Sequence, residues 1–340
     1  MVEEKKSKKI GMFLDERTED GISKEVQLSM LGYNTGNQMF FHALKSQLPI
    51  ETLARNTSRI EELEEYSAFV TTDFVWIREN VDMSYMNKYI QLIGDKALVP
   101  ISVGLQALEF KKNFKLHPET VSVLKQVEER CIMGVRGEYT AEILNRHGIH
   151  NIQIIGCPSL YQLEGGLKRK NKITLPRHVS VNFRSFGEKL SAKETEFLLY
   201  AAERKCSFVE QTEHVLERGH VSNNKNFDRI SSWLEEHGEL FLNLRDWRNY
   251  MQNIDFCIGS RFHGNVVALW EGVPALFLLT DSRTSELCSF FGLPCMEMKK
   301  FNCKKAILHY LLKADYTEFN KTFPEKKVRY EEFLRKNRLK

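Results

Sequence analysis

The chain has 340 residues, of which 42% are hydrophobic and 28% are charged, a balance typical of folded, water-soluble proteins. At this length we expect two domains of roughly 150 residues each. The formal charge of +4 favours an anionic substrate or an anionic membrane surface, but it is too small and too evenly spread to indicate nucleic-acid binding.

Targeting and cysteine signals point to the cytoplasm. No apolar run approaches the roughly 18 residues of a membrane-spanning helix, and the N-terminal MVEEKKSKKI does not resemble a signal peptide. The seven cysteines form no CxxC pair, so they predict neither a zinc site nor a redox dithiol. We therefore expect a cytoplasmic protein, with peripheral contact at the inner face of the membrane left open.

Short apolar segments alternate with amphipathic segments along the chain, which predicts an α/β fold with parallel sheets. In the first half we predict strands at 10–14, 68–72, 97–103, 132–135 and 152–155, and helices at 38–48, 118–129 and 139–147. The segment LEGGLKRKNKITLPR, residues 163–177, then interrupts the alternation with paired glycines, a charge run and a proline. We place the domain boundary there.

The second half repeats the alternation. We predict strands at 178–182, 207–211, 254–258 and 274–278, and helices at 192–205, 228–237 and 265–271. A basic helix at 325–340 follows, with an apolar stripe of Val328, Phe333 and Leu334, and either covers the domain or lies on a membrane surface. The pattern predicts two Rossmann-like domains facing a cleft, residues 1–165 and 166–320, with a C-terminal basic helix at 321–340. This is a GT-B-like layout, although alternation alone also fits other two-domain folds.

An arginine and a histidine stand at the seam between a strand and a helix in CIGSRFHGNVVALWEGVPALFLL, residues 257–279. Arg261 and His263 follow the carboxyl end of an apolar strand, where open α/β sheets bind ligands. Backbone N–H groups at the start of the following helix favour anions, and a guanidinium adds a bidentate partner for carboxylate or phosphate. The structural alternative is that His263 caps the helix and Arg261 forms a salt bridge.

Four stretches occur in the order found in one family: NTGNQMFFHAL (34–44), GVRGEYTAEILNRHGIHNIQIIGCPSLY (134–161), VSVNFRSF (179–186) and SRFHGNVVALWEGVPALFLLTDSRTSELCSFFGLP (260–294). Together they resemble the polysaccharide pyruvyl transferase family over about residues 8 to 300. The resemblance implies a GT-B-like fold and transfer from phosphoenolpyruvate to a sugar of a surface polysaccharide or its precursor. A pyruvate ketal forms and phosphate is released.

The resemblance also implies roles for particular residues. Arg261 and His263 match the Arg-x-His signature associated with donor binding and catalysis, and Phe262 and Gly264 complete that donor-side segment. Arg184 matches a second donor-binding arginine. We hypothesise that His263 is the general acid or base, and that Arg261 and Arg184 neutralise the donor as phosphate departs. The implied partners are phosphoenolpyruvate and a glycan acceptor, with no further cofactor, no metal and no nucleic acid.

The acceptor side is less well defined, because TTDFVWIREN (71–80) and SVGLQAL (102–108) depart from the family pattern. Acceptor-binding candidates share positions in loops or at strand ends: Asn34, Gly36, Asn37, Asp73, Arg136 and Ser159. Each has a structural alternative. The loop at 34–37 can be a turn with an N-cap, Asp73 can be a turn or cap residue, and Arg136 can pair with Glu138 or Glu142.

Two other functions remain open at this point. A GT-B glycosyltransferase using a nucleotide sugar would need a base pocket and a ribose-binding carboxylate, for which Glu271 is a candidate. A catalytically inactive glycan-binding relative would need no reactive group. The acceptor sugar, its hydroxyl pair, the ketal stereochemistry and the oligomeric state are open, as is whether the acceptor is lipid-linked, nucleotide-linked or polymeric.

Overall fold

The computed structural model describes residues 9–15, 22–58, 61–167, 175–183, 190–211 and 227–340. The strands are β1 Lys9–Phe13, β2 Ile50–Leu53, β3 Tyr66–Thr71, β4 Ala97–Pro100, β5 Met133–Val135, β6 Ile152–Ile154, β7 Val179–Asn182, β8 Ser207–Glu210, β9 Gly238–Leu240, β10 Phe256–Gly259, β11 Ala275–Leu279 and β12 Cys295–Glu297. The α-helices are α1 Lys24–Met30, α2 Asn37–Gln47, α3 Asn87–Leu92, α4 Pro118–Glu128, α5 Glu138–Arg146, α6 Ala192–Glu203, α7 Phe227–His237, α8 Leu244–Met251, α9 Phe262–Trp270, α10 Ser282–Phe291, α11 Ile307–Leu312 and α12 Thr317–Lys336.

The first unit is built on a parallel sheet with strand order β2-β1-β3-β4. The segment after β4 pairs with β5 in a parallel bridge. The Val103 amide donates to the Gly134 carbonyl at 2.8 Å, and the Arg136 amide donates to the Val103 carbonyl at 2.9 Å. This bridge joins the sheet to the parallel pair β5-β6. Arg136 therefore emerges at the carboxyl edge of the first unit.

The second unit is built on a parallel sheet with strand order β12-β11-β10-β7-β8-β9. All four residues of β10 are buried, as expected for a strand covered by helices on both faces. The predicted α/β class with two Rossmann-like parallel sheets is confirmed. The domain boundary stays a prediction, since part of it lies at 168–174, outside the described residues.

Several short elements were not predicted from the sequence. They are β2, β9 and β12, and the helices α1, α3, α8, α10 and α11. Helix α9 also begins at Phe262, three residues before the predicted start, so Phe262, His263 and Gly264 form its first turn. The glycine did not delay the helix, because the Arg261 backbone acts as its N-cap.

The C-terminal helix differs from its prediction in extent and in its apolar face. It begins at Thr317 and continues through Pro324, because the turn around the proline is held by the buried rings of Phe319 and Phe323. Val328 is 53% exposed, so its place in the predicted apolar stripe is wrong, whereas Phe333 and Leu334 are buried as predicted.

Helix α12 packs across the first unit. The Asn337 side chain accepts a hydrogen bond from the Ile132 amide at 2.9 Å and donates to the Ile132 carbonyl at 3.1 Å. The Tyr330 hydroxyl donates to Gln47 Oε1 at 2.8 Å, and its ring stacks on Tyr161. The end of the chain therefore ties the second unit back to the first. Within the described ranges, no helix has the length and apolar composition needed to cross a membrane.

Candidate active site

Arg261 is held at the end of β10 by a buried asparagine of the neighbouring strand. Asn182, the last residue of β7, accepts a hydrogen bond from the Arg261 amide at 2.8 Å and donates to Asn265 Oδ1 at 3.0 Å. Gly259 permits this approach, because a Cβ there would lie 2.0 Å from the Asn182 carbonyl oxygen. The two strand ends and the first turn of α9 are therefore fixed relative to each other.

The Arg261 and Phe262 side chains take different directions from this turn. Arg261 Nε donates to the Phe183 carbonyl at 3.3 Å, which keeps the guanidinium close to the end of β7. Phe262 packs on Phe277 of β11, with 5.5 Å between ring centroids. Arg184, predicted to bind the donor beside Arg261, lies outside the described residues.

His263 projects toward the first unit. Its Nε2 lies 3.6 Å from Cys157 Sγ, and Phe40 of α2 meets the imidazole edge-to-face. The residue is only partly exposed. Burial among these groups, together with the nearby guanidiniums of Arg136 and Arg283, lowers the pKa of His263 to about 3. The imidazole is therefore neutral near pH 7.

Arg136, predicted as an acceptor-side candidate, lies close enough to His263 to act on its charge. The side chain is 6% exposed, and burial lowers its pKa to about 10. Its Nε donates to Ser102 Oγ at 3.1 Å, and among the described residues its two Nη atoms have no hydrogen-bond partner. The alternative ion pairs with Glu138 and Glu142 do not form, and Glu142 pairs with Arg146 instead. A buried cation with free donors favours a bound anion.

Arg283 completes the cationic side of the site from the end of β11. Its Nη2 and Nε donate to Asp281 Oδ2 at 3.0 and 3.3 Å, and Asp281 also caps α10 through the Thr284 amide at 2.8 Å. Although burial opposes ionisation, Arg283 and the Thr284 amide hold the pKa of Asp281 below its usual value. The charge of Arg283 lies close enough to His263 and Arg136 to lower the pKa of both.

Glu286, one turn further along α10, is an acid buried at the same junction. Both of its oxygens accept hydrogen bonds from Thr140 at the start of α5, at 3.1 Å from the amide and 2.7 Å from the hydroxyl. Burial raises the pKa of Glu286 to about 7. The carboxyl group thus joins the second unit to the helix that follows Arg136.

The remaining candidates divide between this junction and other places. Gly36 lies beside His263, since a Cβ there would be 3.1 Å from His263 Cβ. Gly264 packs against Asn182 and Gln211. Asn34 Oδ1 accepts from the Gly36 amide and Asn37 Nδ2 donates to the Leu31 carbonyl, so both asparagine side chains bond within their own loop.

Ser159 and Asp73 have other partners. The Ser159 hydroxyl is 3.1 Å from Cys157 Sγ and fully buried. Asp73 forms a two-pronged ion pair with Arg55, at 2.8 and 3.2 Å, at the carboxyl edge of the first sheet. Asp73 forms no hydrogen bond with Arg261 or His263.

The sequence analysis missed Asn182, Arg283 and Glu286 as site residues. For Arg283 a signal existed, because TDSR directly follows a buried strand in the way that GSRFH does. Asn182 and Glu286 carry no comparable signal, since their importance depends on contacts between distant segments. Within the described part of the chain, no group of three or more His, Cys, Asp or Glu side chains is arranged to hold a metal ion.

Comparison with known proteins identifies one matching family model. The model described as polysaccharide pyruvyl transferase matches residues 76–282, a narrower span than the predicted resemblance. It includes Arg136, Arg261 and His263 and ends immediately before Arg283. A comparison with curated protein sequences finds no significant match.

Solved structures similar to the chain include the MnaA–UDP complex from S. aureus, at 11% identity and a TM-score of 0.45, with 96% of this chain and 97% of that chain covered. The wall teichoic acid polymerase TagF has 12% identity and a TM-score of 0.45, with 96% and 90% covered. MurG from Acinetobacter baumannii has 9% identity and a TM-score of 0.37, with 97% and 99% covered.

Proposed function

The chain belongs to the polysaccharide pyruvyl transferase family, and on that premise we propose that it transfers the three-carbon unit of phosphoenolpyruvate to a sugar as a pyruvate ketal, with release of phosphate. The observation that carries this proposal is the placement of His263 against the first unit, with its Nε2 3.6 Å from Cys157 Sγ and with Arg136 and Arg283 close enough to lower the pKa of its imidazole. Phosphoenolpyruvate has a carboxylate and a phosphate on one small frame. Guanidiniums that converge from two sides suit such an anion.

The arginines around the donor would each bind part of its negative charge. Arg136 has unpartnered donors and is buried, so it suits the carboxylate or phosphate. Arg283 and Arg261 would hold the remaining negative charge from the second unit. Donors that are already in place when charge moves to the departing phosphate lower the barrier without further reorganisation.

His263 would exchange the protons of the reaction. Its imidazole is neutral in the free protein, so it can take the proton of the attacking sugar hydroxyl as the oxygen bonds to C2 of the donor. A proton added to the methylene carbon converts it to the methyl group. Phosphate leaves as C2 becomes oxocarbenium-like, and a second hydroxyl adds with loss of its proton. Of the two hydroxyl protons, one balances the new methyl group and the other leaves with phosphate.

The nucleotide-sugar alternative is less well supported by the contacts. Its ribose-binding candidate, Glu271, is buried and accepts hydrogen bonds from Arg248 Nε at 2.6 Å and Gln252 Nε2 at 3.0 Å. Both carboxylate oxygens are therefore engaged by the protein. Because Glu271 is only 7% exposed, a ribose would have access only to the lone pairs that these two bonds leave.

The test is incubation with phosphoenolpyruvate and a panel of candidate glycosides, with phosphate release and product mass as readouts. We expect phosphate together with a product heavier by one pyruvate less one water. His263→Gln keeps a polar group but cannot take a proton, so kcat should fall by about 10²–10⁴-fold. His150→Gln, at an exposed histidine, is the control and should be unaffected.

Full activity of His263→Gln would remove the assigned role of this histidine. Transfer from a nucleotide sugar would establish the glycosyltransferase alternative. Binding of glycans without turnover of any donor would establish an inactive relative.

The location and the acceptor form are part of the same proposal. We place the protein in the cytoplasm, in peripheral contact with the membrane where the acceptor is lipid-linked. Exposed basic side chains at the end of the chain, Arg335, Lys336, Arg338 and Lys340, would contact an anionic lipid surface. The assay with a lipid-linked acceptor in anionic vesicles, and recovery of the protein with the pelleted vesicles, tests this part separately.

A further inference from the structure

Helix α5 begins without a capping side chain of its own unit. Its N-cap residue is Gly137, which has no side chain to accept a hydrogen bond from the first-turn amides. Such amides need partners when they are buried. The Thr140 amide, third in the helix, instead donates to Glu286 Oε2 at 3.1 Å. A side chain of the second unit therefore does the work of an N-cap in the first.

The fit between Glu286 and this helix start is close. A Cβ at Gly137 would lie 3.1 Å from both Cβ and Oε2 of Glu286, so the absence of a side chain at Gly137 makes room for the acid. Glu286 is 3% exposed, and a carboxylate at a helix N-terminus is favoured by the helix dipole. The contact spans residues that are 146 positions apart in the chain.

Hydrogen bonds connect Thr140 to the segment that contacts the Arg136 side chain. The Thr140 hydroxyl donates to Glu286 and accepts from the Leu105 amide at 3.3 Å. The segment that ends at Leu105 also carries Ser102, which accepts the hydrogen bond of Arg136 Nε. Gly104 lies against the same arginine, since a Cβ there would be 2.6 Å from Arg136 Cδ. Segment 102–105, which is bonded to α5 through Thr140, thus lies against Cδ and Nε of Arg136.

We propose that Glu286 is a positioning residue: by capping α5 from the second unit, it holds segment 102–105 and places the Arg136 guanidinium where it binds the donor anion. The proposal rests on the proposed function for the identity of the anion. The capping contact itself is independent of that function.

The kinetic test compares Glu286→Ala with Ser289→Ala, at an exposed position of the same helix. We expect KM for phosphoenolpyruvate to rise about tenfold or more in Glu286→Ala, with a smaller change in kcat, and no change in Ser289→Ala. Thr140→Val, which keeps the amide and loses the hydroxyl, should lie between them. Glu286→Gln keeps an acceptor oxygen and should recover part of the loss, which guards against a variant that fails to fold.

Arg136→Gln and the double variant Arg136→Gln/Glu286→Ala show whether the effect passes through Arg136. Residues that act through one another have non-additive effects, so the double variant should be no worse than Arg136→Gln alone. Multiplied losses in the double variant would overturn the proposal, as would an unchanged KM in Glu286→Ala.

Amide hydrogen exchange separates this proposal from the assigned reaction. Loss of the cap should speed exchange at the Thr140 amide in Glu286→Ala, whether or not the protein uses phosphoenolpyruvate. If the wild-type protein shows no turnover and the Thr140 amide still exchanges faster in Glu286→Ala, the capping role stands and the proposed function is removed. Unchanged exchange would overturn the capping role itself.

Discussion

At the scale of single residues, His263 shows how surroundings set the chemistry of an ordinary side chain. Burial and the two nearby guanidiniums hold its pKa at about 3, so the free protein presents a base. A bound donor would bring negative charge between Arg136, Arg283 and the imidazole. That charge favours the protonated form, so a proton taken from the acceptor can be held on the ring while donor is bound.

The same shift makes the stability of the fold depend on pH in a defined direction. The pKa of His263 falls from 6.5 in an unfolded chain to about 3. Between these values the unfolded chain takes up a proton that the folded protein does not, so the stability from this residue falls as pH falls through that window. Relative to wild type, His263→Gln should therefore lose less stability on acidification from pH 7 to pH 5, measured by denaturant unfolding.

Glu286 contributes with the opposite sign. Its pKa rises from 4.5 to about 7 in the folded protein, so between these values the folded state holds a proton that the unfolded chain has lost. Its contribution to stability then falls as pH rises. In the same unfolding series, Glu286→Gln should remove part of that decline. A variant with the pH profile of wild type would contradict the shift assigned to its residue.

At the scale of elements, the site is made from strand ends. Arg136 follows β5, Asn182 ends β7 and Arg261 follows β10, while Arg283 is the second residue of α10, the helix after β11. Parallel strands bring their carboxyl ends to one edge of a sheet, so residues from separate parts of the sequence meet without special loops. Helix α9 then adds its first turn, and its N-cap backbone is fixed by Asn182.

The C-terminal helix offers a direct test of element packing. Phe333 is 0% exposed and lies against Gly134, where a Cβ would be 3.0 Å from its ring. Phe333→Ala should cost about 3–5 kcal/mol of unfolding free energy, measured by chemical denaturation. Val328→Ala, on the exposed face of the same helix, should change it by less than about 0.5 kcal/mol. Equal effects of the two substitutions would mean that α12 does not pack as described.

At the scale of the whole molecule, the two units are tied together beside the site. The Thr35 amide donates to the Gln211 carbonyl at 3.1 Å, and Trp270 Nε1 donates to the Ser159 carbonyl at 2.8 Å. The Ser282 hydroxyl donates to the Leu105 carbonyl at 2.7 Å. These contacts surround His263 and Arg136, so the relative placement of the units and the geometry of the site depend on each other.

Adding one methyl group at Gly36 tests how the site depends on the relative placement of the two units. Its φ of −62° is suitable for alanine, but a Cβ would lie 2.7 Å from Gln211 Oε1 and 3.1 Å from His263 Cβ. Gly36→Ala should therefore separate the units slightly and lower kcat/KM by as much as ~100-fold, with little loss of Tm. Steady-state kinetics and thermal unfolding measure the two effects.

A second substitution makes room for the added methyl. Gly36→Ala/Gln211→Ala removes the shortest of the three contacts and should recover part of the activity. Wild-type kinetics in Gly36→Ala alone would show that the junction tolerates the displacement.

The sequence by itself determined the α/β class and the two parallel sheets, and it predicted the strand end at Arg261 and His263 as the candidate site. These follow from local patterns: apolar segments of strand length, glycines at turns and polar residues placed directly after a buried strand. Short edge strands such as β9 and β12 were not predicted, because three residues are too few to show the alternation of apolar and polar residues that indicates a strand. The first turns of α12 were not predicted, because Pro324 is a local signal against a helix and only tertiary packing overrides that signal.

Only the tertiary structure decided which charges meet. Asp73 is paired with Arg55 in the first unit, whereas Arg136 comes close to His263 across 127 residues of chain, and Glu286 caps a helix of the other unit. Coulomb interactions and hydrogen bonds depend on distance in space, and nothing in the local sequence encodes the neighbours that folding brings within a few ångströms.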